Sequence, residues 1–437
     1  MEWWELLLVI FAALGVLVAI GMPVAFAFLA VNMGAVLLLQ GGGRAFHSLI
    51  LSMYDAVSSF TLLPIALFVL MGEILWHSNI AFKALEVLDK LLGRLRGRLS
   101  ILTVVTGTVF SSLSGSTMAN TALLGTMLLP EMQRRGYRTP MSIGPILASG
   151  GLAMMIPPSS LAVILAAIGK LSIGKLLIGA LVPGLIMAGM YLSYIMIRCR
   201  LQPELTPPYD VERVPLIEQI VGVVRYLLPL GLIVFLVTGV IVIGVATPTE
   251  AAALGCFGSL VLSAAYGQLN YATLKKALTG TVQIAVMMFS ILANALAFSQ
   301  VLAYSGATRG LLEFVGSLDV SPIVLVVGMN VVVIVLGMFM EQVAIMLIML
   351  PLFLPIIKSL GLDPVWFGVM MLINLQMALT TPPFGLLLFV MKGVAPLGTS
   401  MKQIYLAGMP FLACDTITLT IVLLFPATVT FLPNLFT

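Results

Sequence analysis

Recurring landmarks at a nearly constant spacing restrict this chain to folds built from two like halves. Gly21-Met22-Pro23-Val24-Ala25-Phe26-Ala27 is echoed by Ala246-Thr247-Pro248-Thr249-Glu250-Ala251-Ala252, with the two prolines 225 residues apart. Pro130 and Pro355 each close an apolar run, again 225 apart. Ile156-Pro157-Pro158-Ser159 and Thr381-Pro382-Pro383-Phe384 keep the same offset, and Pro140 and Pro364 differ by 224. One match is weak, but four in register define homologous halves. The halves are 1–200 and 224–437, joined by a proline-rich, charged linker at 201–223.

What each half is made of follows from its polarity. Hydrophobic residues make up 61% of the chain and charged ones 9%, where soluble domains carry about 25% charge. Mean hydropathy is +1.17. The chain is an all-α polytopic membrane protein. Its first apolar run, from Trp3, lacks a basic leader and a cleavage site, so it reads as a span. Expected spans are 5–20, 23–39, 60–78, 142–168 and 174–197, then 227–245, 249–267, 282–304, 366–391 and 404–430. Residues 3–39 can also be drawn as one long kinked helix. Five spans per half is odd, so the second half enters the membrane inverted, the plan of many secondary transporters.

Between the third and fourth spans, Ser111 to Thr121 reads SSLSGSTMANT. The apolar runs beside it, Ile101 to Phe110 and Ala122 to Pro130, each offer about half of the 20 residues a crossing needs. A re-entrant hairpin at 100–130 is one reading, with a partner at 321–355. The other is a single helix whose hydroxyls bond their own i−4 carbonyls. Charge favours the hairpin. With the N-terminus outside, 16 of the 21 Lys and Arg fall inside and 5 outside, with both termini periplasmic and 79–99, 131–141 and 198–225 cytoplasmic. A full crossing at 101–130 would separate Arg134, Arg135 and Arg138 from the basic run at 83–98 and destroy that bias. Ala81 to Leu95 has the amphipathic, basic pattern of a helix lying along the cytoplasmic interface.

The chemistry is that of passage rather than reaction. GxxxxGK[ST], HExxH and GxSxG are all absent, and Cys199, Cys256 and Cys414 are far apart without a CxxC. His47 and His77 lie near span ends without an evident acidic or cysteine companion. No enzyme, cofactor or nucleic-acid partner is expected. Pro157-Pro158 and Pro382-Pro383 break their spans and free carbonyls. Those carbonyls, with the hydroxyls of Ser149, Ser159, Ser160, Thr380 and Thr381, are hard oxygen ligands suited to Na+. The first tip offers Ser111, Ser114, Gly115, Ser116, Thr117 and Asn120, and the second Gly337, Met338, Glu341 and Gln342. Among the acidic residues in apolar runs (Glu73, Glu250, Glu341, Asp415), Glu341 is the best pathway candidate, while Glu250 reads as a helix cap. No proton carrier occurs in both halves, which favours Na+ over H+.

SGSTMANTALLG followed by LPEM, IPPS, GVATPTEAAALG, GMFMEQVAIMLIMLPLFLPI followed by LGLDPVWFGV, and TTPPFGLLLFV together resemble the large membrane subunit of tripartite ATP-independent periplasmic (TRAP) transporters. The resemblance covers nearly the whole chain. It implies an elevator-type fold in the bacterial inner membrane and Na+-driven uptake of a small organic carboxylate. A periplasmic substrate-binding protein would deliver the cargo, and a small four-helix membrane subunit is expected as a separate chain. It also implies one Na+ site from Ser114, Thr117, Gly337, Ala378 and Thr381, and a pseudosymmetric one around Gly150, Gly151 and Pro157 with the second tip. The chain departs from the family where GMFLD is common: here Glu341 is followed by Gln342. A stand-alone ion-coupled carboxylate transporter, or a channel or structural component of a complex, are the other readings of the residues.

Overall fold

The computed structural model describes residues 2–40, 43–91, 95–114, 116–207, 215–396 and 398–436. All regular structure in them is helical. The first two helices are α1 (Trp3–Ala19) and α2 (Val24–Gln40). Gly21 between them has φ +87°, backbone that favours glycine, and Pro23 follows with no amide to donate. The run at 3–39 is therefore two helices. Next come α3 (Gly43–Ser58), α4 (Leu63–His77) and the amphipathic α5 (Ile80–Leu91). The α3 and α4 axes meet at 49°. Residues 60–78 thus capture only half of a bent unit. The other half escaped because Arg44, His47, Ser48 and Asp55 lower its hydropathy.

A helix pair follows, α6 (Arg98–Ser114) and α7 (Thr117–Arg134). An Arg98–Asp89 ion pair of 2.8 Å ties it to α5. The arms are 17 and 18 residues, longer than the two apolar runs suggested. One reason is Ser111, just past the first run: it donates its hydroxyl to the i−4 carbonyl of Gly107, so a polar residue continues the helix without exposing a donor. Then come α8 (Thr139–Gly151), α9 (Ser160–Gly169) and α10 (Ile173–Leu201).

The second half holds α11 (Leu216–Val242), α12 (Pro248–Ala265), α13 (Tyr271–Tyr304), α14 (Ala307–Ser317), α15 (Pro322–Gly337), α16 (Gln342–Ser359), α17 (Pro364–Thr380), α18 (Leu386–Val394), α19 (Met401–Leu424) and α20 (Ala427–Phe436). Helix α11 starts inside the segment read as linker, and α13 begins eleven residues before the expected 282. The expected 404–430 span ends at Leu424 because Pro426 has no amide to continue it. α7 and α16 begin 225 residues apart and end 225 apart.

Six helices among the described residues are long and apolar enough to cross a membrane, and the bent α3–α4 pair makes a seventh. Ten single crossings were expected. The difference has two sources. α1 and α2 are 17 residues each, short of the usual 20, and the spans expected at 142–168 and 366–391 are broken in the middle. One of the six, Gln342–Ser359, is an arm of the second pair and is buried against protein rather than outward-facing.

Two groups of neighbours result. Helices α2, α3, α4, α12 and α13 pack together, and α6 to α10 pack with α15 to α20. In the second group α8 from Met141 to Gly151 and α17 from Trp366 to Thr380 are buried on every side, as helices apolar all round must be.

Candidate functional site

The two tips are built alike from different residues. Ser116 is the N-cap of α7, and its Oγ accepts from the Ala119 amide at 3.3 Å. Glu341 is the N-cap of α16, and its Oε2 accepts from the amides of Val343 at 2.9 Å and Ala344 at 3.4 Å. Each satisfies amides that a helix start leaves unpaired. Glu341 was expected as a pathway residue; its Oε2 is engaged as a cap, where a carboxylate also offsets the positive helix end. Glu341→Ala should lower the protein's stability by about 1 kcal/mol while Glu341→Asp stays near wild type. Thermal unfolding in detergent measures this, and equal loss in both variants would remove the capping role.

The tips also touch. Gln342 Nε2 donates to Thr117 Oγ1 at 3.2 Å, joining first-turn residues 225 apart. Gly337, at the end of α15, lies against α17: a Cβ there would stand 2.1 Å from the Ala378 Cβ. Met338 is the C-cap of α15. Of the other tip residues, Gly115 lies outside the described residues and Ser114 closes α6.

Both breaks follow from their prolines. α8 stops at Gly151 and a short 3-10 turn leads to Pro157-Pro158, joined by a cis peptide like Pro382-Pro383. The first break is buried throughout, whereas Pro383 in the second is exposed. The Pro157 carbonyl accepts from Thr238 Oγ1 at 3.4 Å, and the Pro383 carbonyl from Tyr405 OH at 2.7 Å. Hydroxyls around the breaks bond locally. Ser149 donates to Pro145 O at 2.6 Å and Thr381 to Met377 O at 2.6 Å. Ser111 donates to Gly107 O. Each uses its proton this way and keeps oxygen lone pairs for a cation. Asn120 ties the first tip to the break, donating to Gly107 O at 3.3 Å, Ser111 Oγ at 3.1 Å and Ser149 O at 3.3 Å.

The named glycines are where side chains press closest. A Cβ on Gly150 would stand 1.8 Å from Thr121 Oγ1, and one on Gly151 1.6 Å from Gln376 Cδ. Sequence reasoning missed Gln376. It is wholly buried, and neither amide atom makes a hydrogen bond within the protein. The 225 offset could have found it, since it pairs Gly151 with Gln376.

Between the tips and the other helix group lies a cavity of about 560 Å³, a size typical of small-molecule sites. Ser116, Thr117, Ser160, Glu341 and Gln342 face it from one side; Glu73, Trp76 and His77 of α4 and Gln283 of α13 face it from the other. His77 was expected without an acidic companion; its Nε2 lies 3.3 Å from Glu73 Oε2, one turn earlier on α4. Side chains four apart on a helix share a face, so the pair follows from spacing. Glu250 forms a capping box with Thr247, as expected of a helix start. Asp415 accepts from Tyr191 OH in the packed interior. Among the described residues no group of three or more His, Cys, Asp or Glu could hold a metal ion.

Residues 11–428 match the family model described as tripartite ATP-independent periplasmic transporter, DctM component. The C4-dicarboxylate TRAP transporter large permease protein DctM of Pseudomonas aeruginosa is 33% identical over 409 residues, covering 92% of each chain. The sialic acid TRAP transporter large permease protein SiaM of Vibrio cholerae is 30% identical over 432 residues, 98% of each chain. Among solved structures, the Alcanivorax borkumensis YdaH transporter superposes with a TM-score of 0.62 at 13% identity, covering 89% of this chain and 90% of that one. Neisseria gonorrhoeae MtrF gives 0.61 at 14% identity, over 88% of this chain and 85% of that one. These last two are similar in fold.

Proposed function

Because the chain belongs to the DctM-component family of tripartite ATP-independent periplasmic transporters, being a transporter permease and not an enzyme, we propose that it carries out Na+-coupled uptake of a small organic carboxylate. The cargo reaches it from a periplasmic substrate-binding protein, and a small four-helix membrane subunit completes the complex in the bacterial inner membrane. One observation carries the reading: both helix tips, bonded through Thr117 and Gln342, face a single cavity whose far wall is α4 and α13. A cavity between two helix groups is what an elevator needs, with the tips and breaks moving as one body against the other group.

The halves are read as inverted repeats of five spans, each with a re-entrant hairpin. A two-fold rotation brings a residue near its axis against its own counterpart. Thr117 meets Gln342 and Gly151 meets Gln376, both pairs 225 apart, and Tyr191 meets Asp415 at 224. Three such contacts support a two-fold relation. The ion sites are read as Ser114, Thr117, Gly337, Ala378 and Thr381, and Gly150, Gly151 and Pro157 with the second tip. Contact between Gly337 and Ala378 supports the first set, while the second draws support from the buried break at Pro157-Pro158.

Uptake by liposomes holding both membrane subunits should require a Na+ gradient and the binding protein. Uptake without that protein would make this a stand-alone transporter, and passive conductance without accumulation a channel. Thr381→Val and Ser114→Val should each raise the Na+ concentration for half-maximal uptake by about tenfold, the loss of one oxygen ligand costing about 1.4 kcal/mol. Unchanged Na+ activation in both would remove the first ion site.

A further inference from the structure

Among the described residues lining the cavity, Glu73, Glu341 and His77 are the ionisable groups, and no lysine or arginine joins them. For a site read as holding a carboxylate this is an inverted charge pattern. The two acids are not equivalent. Glu341 Oε2 receives two amides at the start of α16, where the positive helix end offsets part of its charge. Glu73 lies within α4 with His77 as its ion-pair partner. Its carboxylate rests over Gly280 of α13, where a Cβ would meet Glu73 Oε2 at 2.5 Å. The bare glycine thus makes room for the carboxylate on the wall opposite the tips. With both carboxylates ionised, the three groups sum to a negative charge whether His77 is neutral or protonated.

We propose that Glu73 bars unaccompanied anions from this cavity, so that a cargo carboxylate binds there only beside a cation. This rests on the reading of the cavity as the cargo site. The cation is either the coupling ion at the tips or an ammonium carried by the cargo itself. Charge on the wall facing the tips ties anion occupancy to cation occupancy through space, without a shared ligand. Glu73 is on this account a specificity-determining residue whose effect is carried by charge, not shape.

The test reads the cavity's potential without any cargo. A cysteine at Gln283, or at Ile284 on the same wall if the first variant does not fold, is labelled in the purified complex. The probes are the cationic 2-(trimethylammonio)ethyl and the anionic 2-sulfonatoethyl methanethiosulfonates, each rate being divided by that reagent's rate with glutathione. The native cysteines are all buried and give a slow background. Without Na+ the cationic reagent should react faster by about tenfold, and Glu73→Gln should cut that preference by about threefold. A preference for the anionic reagent, or one that Glu73→Gln leaves unchanged, overturns the proposal. Added Na+ that shrinks the preference identifies the coupling ion as the companion; a preference insensitive to Na+ leaves the cargo's own cationic group. Failure of carboxylate uptake in liposomes would instead remove the transport reading while leaving the labelling ratio intact.

Discussion

Gly151→Ala should abolish transport and lower the thermal unfolding midpoint of the solubilised protein, and Gln376→Ala introduced with it should restore most of the folding loss. The added Cβ would stand 1.6 Å from Cδ, 1.7 Å from Oε1 and 1.8 Å from Nε2 of Gln376. No contact that short survives, so α8 and α17 must separate or Gln376 must leave its position. Both helices are buried around this point, which leaves little room to yield. Overpacking a filled interior costs about 1–3 kcal/mol, and here the upper end applies because the clash involves a whole amide group. Gln376→Ala alone should be mild, since it removes an amide that makes no hydrogen bond within the protein and its desolvation cost of about 1–3 kcal/mol goes with it. The double variant should therefore be more stable than Gly151→Ala, a coupling of about 1–3 kcal/mol between touching residues. A Gly151→Ala protein as stable as wild type, or one that Gln376→Ala worsens, would show that the two do not compete for this space.

That pair also marks the limit of what the residues disclose by themselves. The tips were legible because SSLSGST and GMFMEQ place polar residues and glycine where an apolar run should continue, and the breaks were legible because proline has no amide. Charge distribution then favoured the hairpin over a crossing. Other features hid behind satisfied polarity. Ser111 lies past the apolar stretch but inside α6, its hydroxyl turned onto the Gly107 carbonyl, so the arm is longer than that stretch. α3 is amphipathic and passes beneath a hydropathy threshold. Gln376 in NLQMALT looks like one polar residue in an apolar helix, and only the packing of α17 on α8 shows that it occupies the space left by Gly151. Glu341 was visible as a charge in an apolar run, but spacing could not distinguish a ligand from an N-cap. The His77–Glu73 pair was within reach of helical spacing and was missed because each residue was weighed alone.

Tyr191→Phe should be the most destabilising single-atom deletion in the interior. Tyr191 is 0% and Asp415 1% exposed, and the Tyr191 hydroxyl donates to Asp415 Oδ1. Removing the hydroxyl leaves a buried carboxyl group without that donor, which costs about 1–3 kcal/mol. Asp415→Asn keeps an acceptor facing Tyr191, so its loss should be much smaller. Tyr191→Phe with Asp415→Leu replaces both hydrogen-bond partners by apolar groups and should recover toward wild type. The order of unfolding midpoints in detergent is then wild type and double variant highest, Asp415→Asn next, Tyr191→Phe lowest. The pair joins α10 to α19, so the same loss should loosen the packing of these two helices. A Tyr191→Phe protein indistinguishable from wild type would mean that Asp415 is satisfied by another group, and that this contact does not hold α10 to α19.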